Sequence, residues 1–529
     1  MATRELDGQL FDVVVLGTGL AEAIVASEAA SAGKSVLHID RNPYYGGGNA
    51  CFSVSGLVDW AVSLRDRRQV PRVEVMLGAP AAGLPAFVLG DAHEAAGCTG
   101  VAAADDDGQV AGLLRRLAPY ATDSGGDGEQ LAAAALGSLM PNDRKYMLEL
   151  APKAMLCRGQ MIELLIDTGV SEHVQFMGID DTYLVRGSGA AEKIPSSKED
   201  VFASTSLSLI EKRKLMRLLV ALGGGTDDDG EGQRTDVTGD HGDVEFSRFL
   251  REQFKLDGML LDAVRYAVAR VRYGEDINAR DGCERVRRHV RSMGRYGRMA
   301  HLCALYGGSD IAQSFCRTCA VAGGTYVLGE DTGAIAAAAD GAGFQVPLAH
   351  GTVQARHVVM DPSYAGAGAV RVAATVSRAI CILDRPALGD DATSAVCYVG
   401  ERGVVSLLYM TSATMAVPKG RSVLYAWTDG PLTEMRGLLG QALDATRGDK
   451  GTPLLTVFME MHTLEADEAA GGGILVTGTP DATVDFESTV AAAQRVLVAV
   501  LGTHTDEPGQ AAGGGSSSKG AAHEQHSII

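Results

Sequence analysis

The chain has 529 residues, 46% of them hydrophobic, enough to bury a large core and to build two domains rather than one. A formal net charge of -19 argues against a nucleic-acid-binding surface and suits a basic partner. No apolar run approaches the roughly 20 residues of a membrane-spanning helix, and Met1–Gln9 lacks the apolar centre of a secretory signal, so a cytoplasmic protein is expected.

The first forty residues read as strand, tight turn, helix, strand: "DVVVL", "GTG", an Ala-rich stretch, then "SVLHID". That order predicts the opening of an α/β fold. From about 72 to 143 the composition turns to Ala, Gly and Asp, which predicts a solvated insertion that adds little to core or chemistry. Between 196 and 292, "SLSLIEKRKLMRLLVAL" and "VEFSRFLREQFKLDGMLLDAVRYAVARV" place apolar residues at spacings of three and four, which predicts a helical second domain. An acidic Gly-rich loop, "GGGTDDDGEGQRTDVTGDHGD", divides it. Short strands and turns are expected from Tyr296 to Gly502, returning the chain to its first domain, and 503–529 reads as a disordered tail.

Few residues stand in patterns that carry chemistry. Nine cysteines without framework spacing read as reduced thiols, and Cys316 and Cys319, a C-x-x-C pair with no second pair beside it, read as packing residues. His38, His241, His301 and His350 stand singly, so no metal site is expected, and no nucleophile elbow lies between a strand and a helix. The remaining candidate is the turn "GTGLAE". In a dinucleotide site, glycines let the backbone approach the pyrophosphate, and an acidic residue about 20 positions on binds the ribose. Gly17, Gly19 and Asp40 supply those parts, but Glu22 stands where the third glycine belongs. Its charge suits the first turn of a helix and would repel a pyrophosphate. By itself the motif leaves both a bound flavin and a relic fold open.

The segment "HIDRNPYYGGGNACFSVSGLVDW" closely resembles the first conserved region of the Rab escort protein and Rab GDP-dissociation inhibitor superfamily. Further blocks follow in the family's order: "LAPKAMLCRGQMIELLIDTGVSEHVQF", "SLIEKRKLMRLL", "YGGSDIAQSFCRTCAVAGGTYVL", "VVMDPSY" and "VSRAICILDRPA". Together they cover about two thirds of the chain. The resemblance implies a large FAD/NAD(P)-binding-like domain with mixed sheets at 1–195 and 293–502, a smaller all-helical domain at 196–292, and no flavin or other cofactor. It also implies a non-catalytic protein that binds Rab GTPases in their GDP form.

Within the superfamily, "FSVSGLVDW", the long insertion and "FCRTCAVAGG" are similar to escort proteins, whereas "DRNPYYGG" leans toward the inhibitors. An escort protein presents unprenylated Rabs to the geranylgeranyl transferase heterodimer and carries the geranylgeranylated product to membranes. The alternatives are an inhibitor that recycles prenylated Rabs and, more remotely, a flavin-dependent oxidoreductase. Carried over from the family, the Rab platform falls on Tyr45, Asp310, Arg317, Thr325 and Val327. Asp310 stands where many members have Glu, one methylene longer, and Val327 replaces a longer apolar residue. The transferase anchors fall on Phe202 and Arg213, eleven positions apart. From the residues alone, Tyr45 could be a turn tyrosine, Arg317 a helix arginine on an Asp, Phe202 a core aromatic and Arg213 part of a solvated face.

Overall fold

The computed structural model describes residues 5–64, 69–78, 87–89, 109–120, 125–195, 198–205, 207–223, 237–338, 341, 343–366, 368–389, 392–466 and 474–502. The acidic run at 105–107, the loop at 224–236 and the expected tail at 503–529 lie outside the described residues.

The chain opens on strand β1 (Leu10–Leu16), helix α1 (Leu20–Ser31) and strand β2 (Val36–Asp40). Val13, Val14, Val15 and Leu16 are all fully buried, as a strand covered on both faces requires. β1 pairs in parallel with β2, Val14 opposite Leu37, and with Gly351–Met360, Val14 opposite Val358. The sheet has seven strands, ordered Thr325–Leu328, β2, β1, Gly351–Met360, Phe344–Leu348, Ala336–Ala337, with Ile474–Val476 paired on Gly351–Met360 off that path. Thr325–Leu328 is therefore an edge strand, parallel to β2. α1 is lined by Ala23, Ala26, Ala29 and Ala30, whose small side chains let the helices Ser309–Val321 and Glu487–Leu501 pack closely on it.

A second, nine-stranded sheet is built around two long antiparallel strands, Val370–Leu383 and Pro453–Ala466. Its strands are antiparallel except where Ser394–Val399 runs parallel to Asp181–Arg186. The protein is thus α/β with mixed sheets.

The reading of 72–143 as a solvated insertion needs correction. Arg72–Leu77 is a strand of the nine-stranded sheet, paired antiparallel with Pro453–Ala466, and it buries Val73 and Val75. The helices Gln109–Leu117 and Gly125–Leu139 bury Leu113, Leu117, Ala132, Ala135, Leu136 and Leu139 in the same core as Trp60 and Trp427. Glu74 is buried as well, and it accepts from Arg72 and Arg436. Alanines at helical spacing make a valid core face here, although their composition resembles that of a linker.

Described residues from 198 to 292 hold helices and no strand beyond the isolated bridge Glu245–Asn278. Their buried apolar side chains, from Val201 to Val286, form a cluster of their own. A small cluster of Leu184, Ile194, Ala263, Ala267 and Cys397 joins these helices to the nine-stranded sheet. Among the described residues no helix is long and apolar enough to cross a membrane.

Candidate functional site

The turn after β1 keeps the backbone of a dinucleotide site and fills it with the chain's own groups. Gly17 has φ +97°, and a Cβ there would stand 2.9 Å from the Asp361 Cβ, so the position requires glycine. The Thr18 N–H and hydroxyl both donate to Asp40 Oδ2, at 2.8 and 2.6 Å. The Asn42 N–H donates to Oδ1 at 2.8 Å and the Tyr364 hydroxyl at 3.2 Å. Both carboxylate oxygens of Asp40, the expected ribose ligand, are thus engaged by the protein.

Glu22 is buried and accepts from the Thr477 hydroxyl. Its Oε2 lies over Gly19, in the space a Cβ would need. Burial pushes its pKa well above 4.5, and the charges of Asp361 and Asp40 push the same way. The expectation of a charged Glu22 repelling a pyrophosphate is therefore corrected: burial favours the neutral carboxyl, which excludes the ligand by occupying its place. A cavity of about 540 Å3 opens alongside, lined by Gly17, Gly19, Asp40, Gly47, Trp60 and Tyr364. Among the described residues Arg41 is the one cation on its wall, and it covers the Tyr364 ring at 3.7 Å. A diphosphate at the start of α1 would run into the Glu22 carboxyl over Gly19, and Asp40 has both oxygens engaged, so these residues do not fit a flavin dinucleotide.

The Rab-platform candidates gather around the exposed edge of the seven-stranded sheet, on two faces of it. Asp310 lies in the first turn of the helix Ser309–Val321, with its carboxyl pKa raised by burial. Arg317 is exposed on the same helix. Seven residues separate them, which puts both on one side of the helix, roughly 10 Å apart along its axis. Tyr45 packs against the cluster beneath this helix, its ring centroid 6.3 Å from that of Tyr326. Val327 instead packs with Leu37 and Ile39 on the opposite face, and Thr325 alternates with Tyr326 along the strand. The structure therefore brings Tyr45, Asp310 and Arg317 to one side, while Thr325 and Val327 share only the edge with them.

What holds this edge was missed in the sequence. His38 lies 2.6 Å from the Gly17 carbonyl through Nε2 and 3.1 Å from the Tyr326 hydroxyl through Nδ1. A carbonyl only accepts, so Nε2 carries the proton and Nδ1 accepts from Tyr326. Burial lowers the His38 pKa to about 4, which keeps the ring neutral. Cys316 and Cys319 lie in the helix over Tyr326, and burial pushes the Cys316 thiol up to about 12. The C-x-x-C pair thus sits on one helix face near a tyrosine, and His38 ties that tyrosine's edge strand to the Gly17 turn. A tyrosine between the two platform candidates was the available signal.

Phe202 and Arg213 are both exposed. Phe202 lies in the last turn of the helix Lys198–Ala203 with 68% of its surface accessible, which rules out the core-aromatic reading. Leu209 and Ile210, at the start of the helix Leu209–Gly223, are exposed too. The Lys212 ammonium donates to the Phe202 carbonyl at 2.9 Å and ties the two helices together. Behind them, Leu215, Leu219, Leu260, Val264 and Val286 line a narrow apolar cleft within the helical segment.

The family described as GDP dissociation inhibitor matches residues 6–69 and 132–507. The chain is 25% identical over 510 residues to "Rab proteins geranylgeranyltransferase component A" of Drosophila melanogaster, covering 92% of this chain and 88% of the relative. It is also 25% identical over 507 residues to "Rab GDP dissociation inhibitor beta" of Canis lupus familiaris, covering 94% and 96%. Among solved structures, the Rab GDI of Plasmodium falciparum superposes with a TM-score of 0.68 at 18% identity, covering 94% of this chain and 99% of that one, a likeness of fold. The match spans the broken fingerprint, the sheet edge and the helical segment alike, and the chain belongs to the GDP dissociation inhibitor family.

Proposed function

We propose that this protein is a Rab escort protein. It binds GDP-bound, unprenylated Rab GTPases, presents their C-terminal cysteines to the geranylgeranyl transferase heterodimer, and delivers the prenylated product to membranes from the cytosol. In this reading it is a non-catalytic accessory, and the helical segment 196–292 acts as a separate domain. The observation that carries the reading is the exposure of Phe202. A large aromatic in water, on a helix tied through Lys212 to one that exposes Leu209, Ile210 and Arg213, is a ready interface anchor, and aromatic and arginine side chains are over-represented among binding hot spots.

The Rab itself docks on the sheet edge through Tyr45, Asp310, Arg317, Thr325 and Val327. A prenyl chain needs an apolar shelter, since each buried CH2 contributes about 0.8 kcal/mol. The cleft between Leu215, Leu219 and Val264 is narrow, so its helices must part to receive the chain.

Similarity to the canine Rab GDP dissociation inhibitor over nearly its full length supports a second reading, in which the protein recycles prenylated Rabs without engaging the transferase. A reconstituted prenylation assay separates the two. The transferase heterodimer, a GDP-loaded Rab and geranylgeranyl diphosphate are mixed with and without this protein. Lipid transfer that depends on the protein supports the escort reading. Transfer unaffected by it, together with extraction of prenylated Rab from vesicles, supports the inhibitor reading.

A further inference from the structure

Where the helical segment meets the nine-stranded sheet, a second cavity of about 340 Å3 opens, and its wall is rich in basic side chains. Some of these have acidic partners. Arg285 pairs with Glu275 at 2.6 Å, Arg272 with Asp429 at 3.6 Å, and Arg288 with Glu487 at 3.9 Å. Arg270 has none: its Nε and Nη2 are buried without a hydrogen-bond partner among the described residues, and so are both ring nitrogens of His289. The ring of His301, also buried, has its centroid 5.2 Å from that of His289, and the charge of Arg270 bears on both imidazoles. Asp485, the remaining acid on the wall, attracts Arg270 without forming an ion pair with it, and its carboxylate accepts from the Glu487 N–H at 3.3 Å.

The backbone that presents Arg270 is unusual too. Residues Ala263–Val268 form a π-helical turn, a rare geometry frequent at functional sites. Arg270 follows at φ +52°, in the left-handed region that a side chain other than glycine rarely adopts. A strained arginine with unpaired buried nitrogens is costly unless something compensates for it.

We propose that this cavity binds a phosphate group, held by the Arg270 guanidinium with His289 and His301 as further donors. A guanidinium grips an oxyanion through two parallel N–H bonds, and a neutral imidazole donates one more. Donors from a loop, a helix and a strand suit a tetrahedral anion better than a flat carboxylate. His289 also lines the apolar cleft of the helical segment. The phosphate can therefore be a free ion or the head of an ester with an apolar tail.

The test uses the full-length protein at constant ionic strength, titrated by calorimetry with inorganic phosphate and with octyl phosphate, and with chloride and octanol as controls. Binding of about one phosphate-bearing ligand per chain, weakened roughly tenfold or more by Arg270→Gln, is the expected result. Equal binding of both ligands assigns the site to free phosphate, and binding of octyl phosphate alone assigns it to an ester head. His289→Gln, with an unchanged melting temperature in chloride, serves as the second variant and decides the matter if Arg270→Gln does not fold. No binding of either phosphate ligand by the wild type, or binding that both variants retain in full, overturns the proposal.

Discussion

The buried carboxyl of Glu149 makes the stability of this fold depend on pH, with a sign that can be worked out. Glu149 lies beneath the turn that leads into the helix Ser309–Val321, and its Oε2 accepts the Gly308 N–H at 3.0 Å. Burial pushes its pKa from 4.5 to about 7, against the lowering effect of that one hydrogen bond. The folded state thus holds a proton that the unfolded chain releases from about pH 4.5 upward. Stability from this group is fully present below pH 4.5 and is lost as pH rises through 7. A rise of this size corresponds to roughly 3 kcal/mol. Glu149→Gln keeps an acceptor for Gly308 and removes the titration. In urea unfolding at pH 5 and pH 8, the stability of the variant relative to wild type should therefore improve by about 2 to 3 kcal/mol between the two pH values. A difference that stays flat refutes the assignment of the shift to Glu149.

Other substitutions probe the remaining features. Arg317→Ala should weaken binding of a GDP-loaded Rab by about 1 to 3 kcal/mol in calorimetry while the fold survives, and unchanged affinity would return Arg317 to a structural role. Leu136→Ala, in a segment that reads as a linker, should cost about 2 to 5 kcal/mol of unfolding free energy; a change near zero would show that Gly125–Leu139 is not core. Purified native protein, and the supernatant left after denaturing it, should show no flavin absorbance, since Glu22 fills the space over Gly19 and Asp40 is engaged by the protein, and stoichiometric flavin would contradict that account.

How much of this was legible in the sequence depends on what each residue's signal rested on. β1, α1 and β2 are plain from a continuous apolar run, a glycine turn and an alanine-rich helix, because local pattern and final burial agree. The departure from the dinucleotide fingerprint is also visible, as Glu22 in place of glycine. Its protonation state is not, because that depends on Thr477 and Asp361, brought in from far along the chain. The segment 72–143 was misread because Ala132, Ala135 and Leu136 form a core face whose composition resembles a linker's. The sequence predicts short strands after Tyr296, yet Val370–Leu383 and Pro453–Ala466 run 14 residues each, and no alternation marks Val376–Leu383 or Leu455–Met459, which are buried on both faces. The five platform residues were named from the resemblance, but only the fold shows that Val327 faces away from Tyr45. The Arg270, His289 and His301 group has no sequence spacing that betrays it.

The escort reading stands or falls on recruitment of the prenyltransferase. Tagged wild-type protein and Phe202→Ala are each tested for capture of the purified transferase heterodimer, with and without GDP-loaded Rab and geranylgeranyl diphosphate. The account predicts that wild type captures the heterodimer and that Phe202→Ala weakens this association by about 2 to 4 kcal/mol, the range of a lost aromatic anchor. Rab binding, proposed at the edge of the seven-stranded sheet, should hardly change. Equal capture by both proteins would remove Phe202 from the interface, and a wild type that never captures the transferase would contradict the escort function itself.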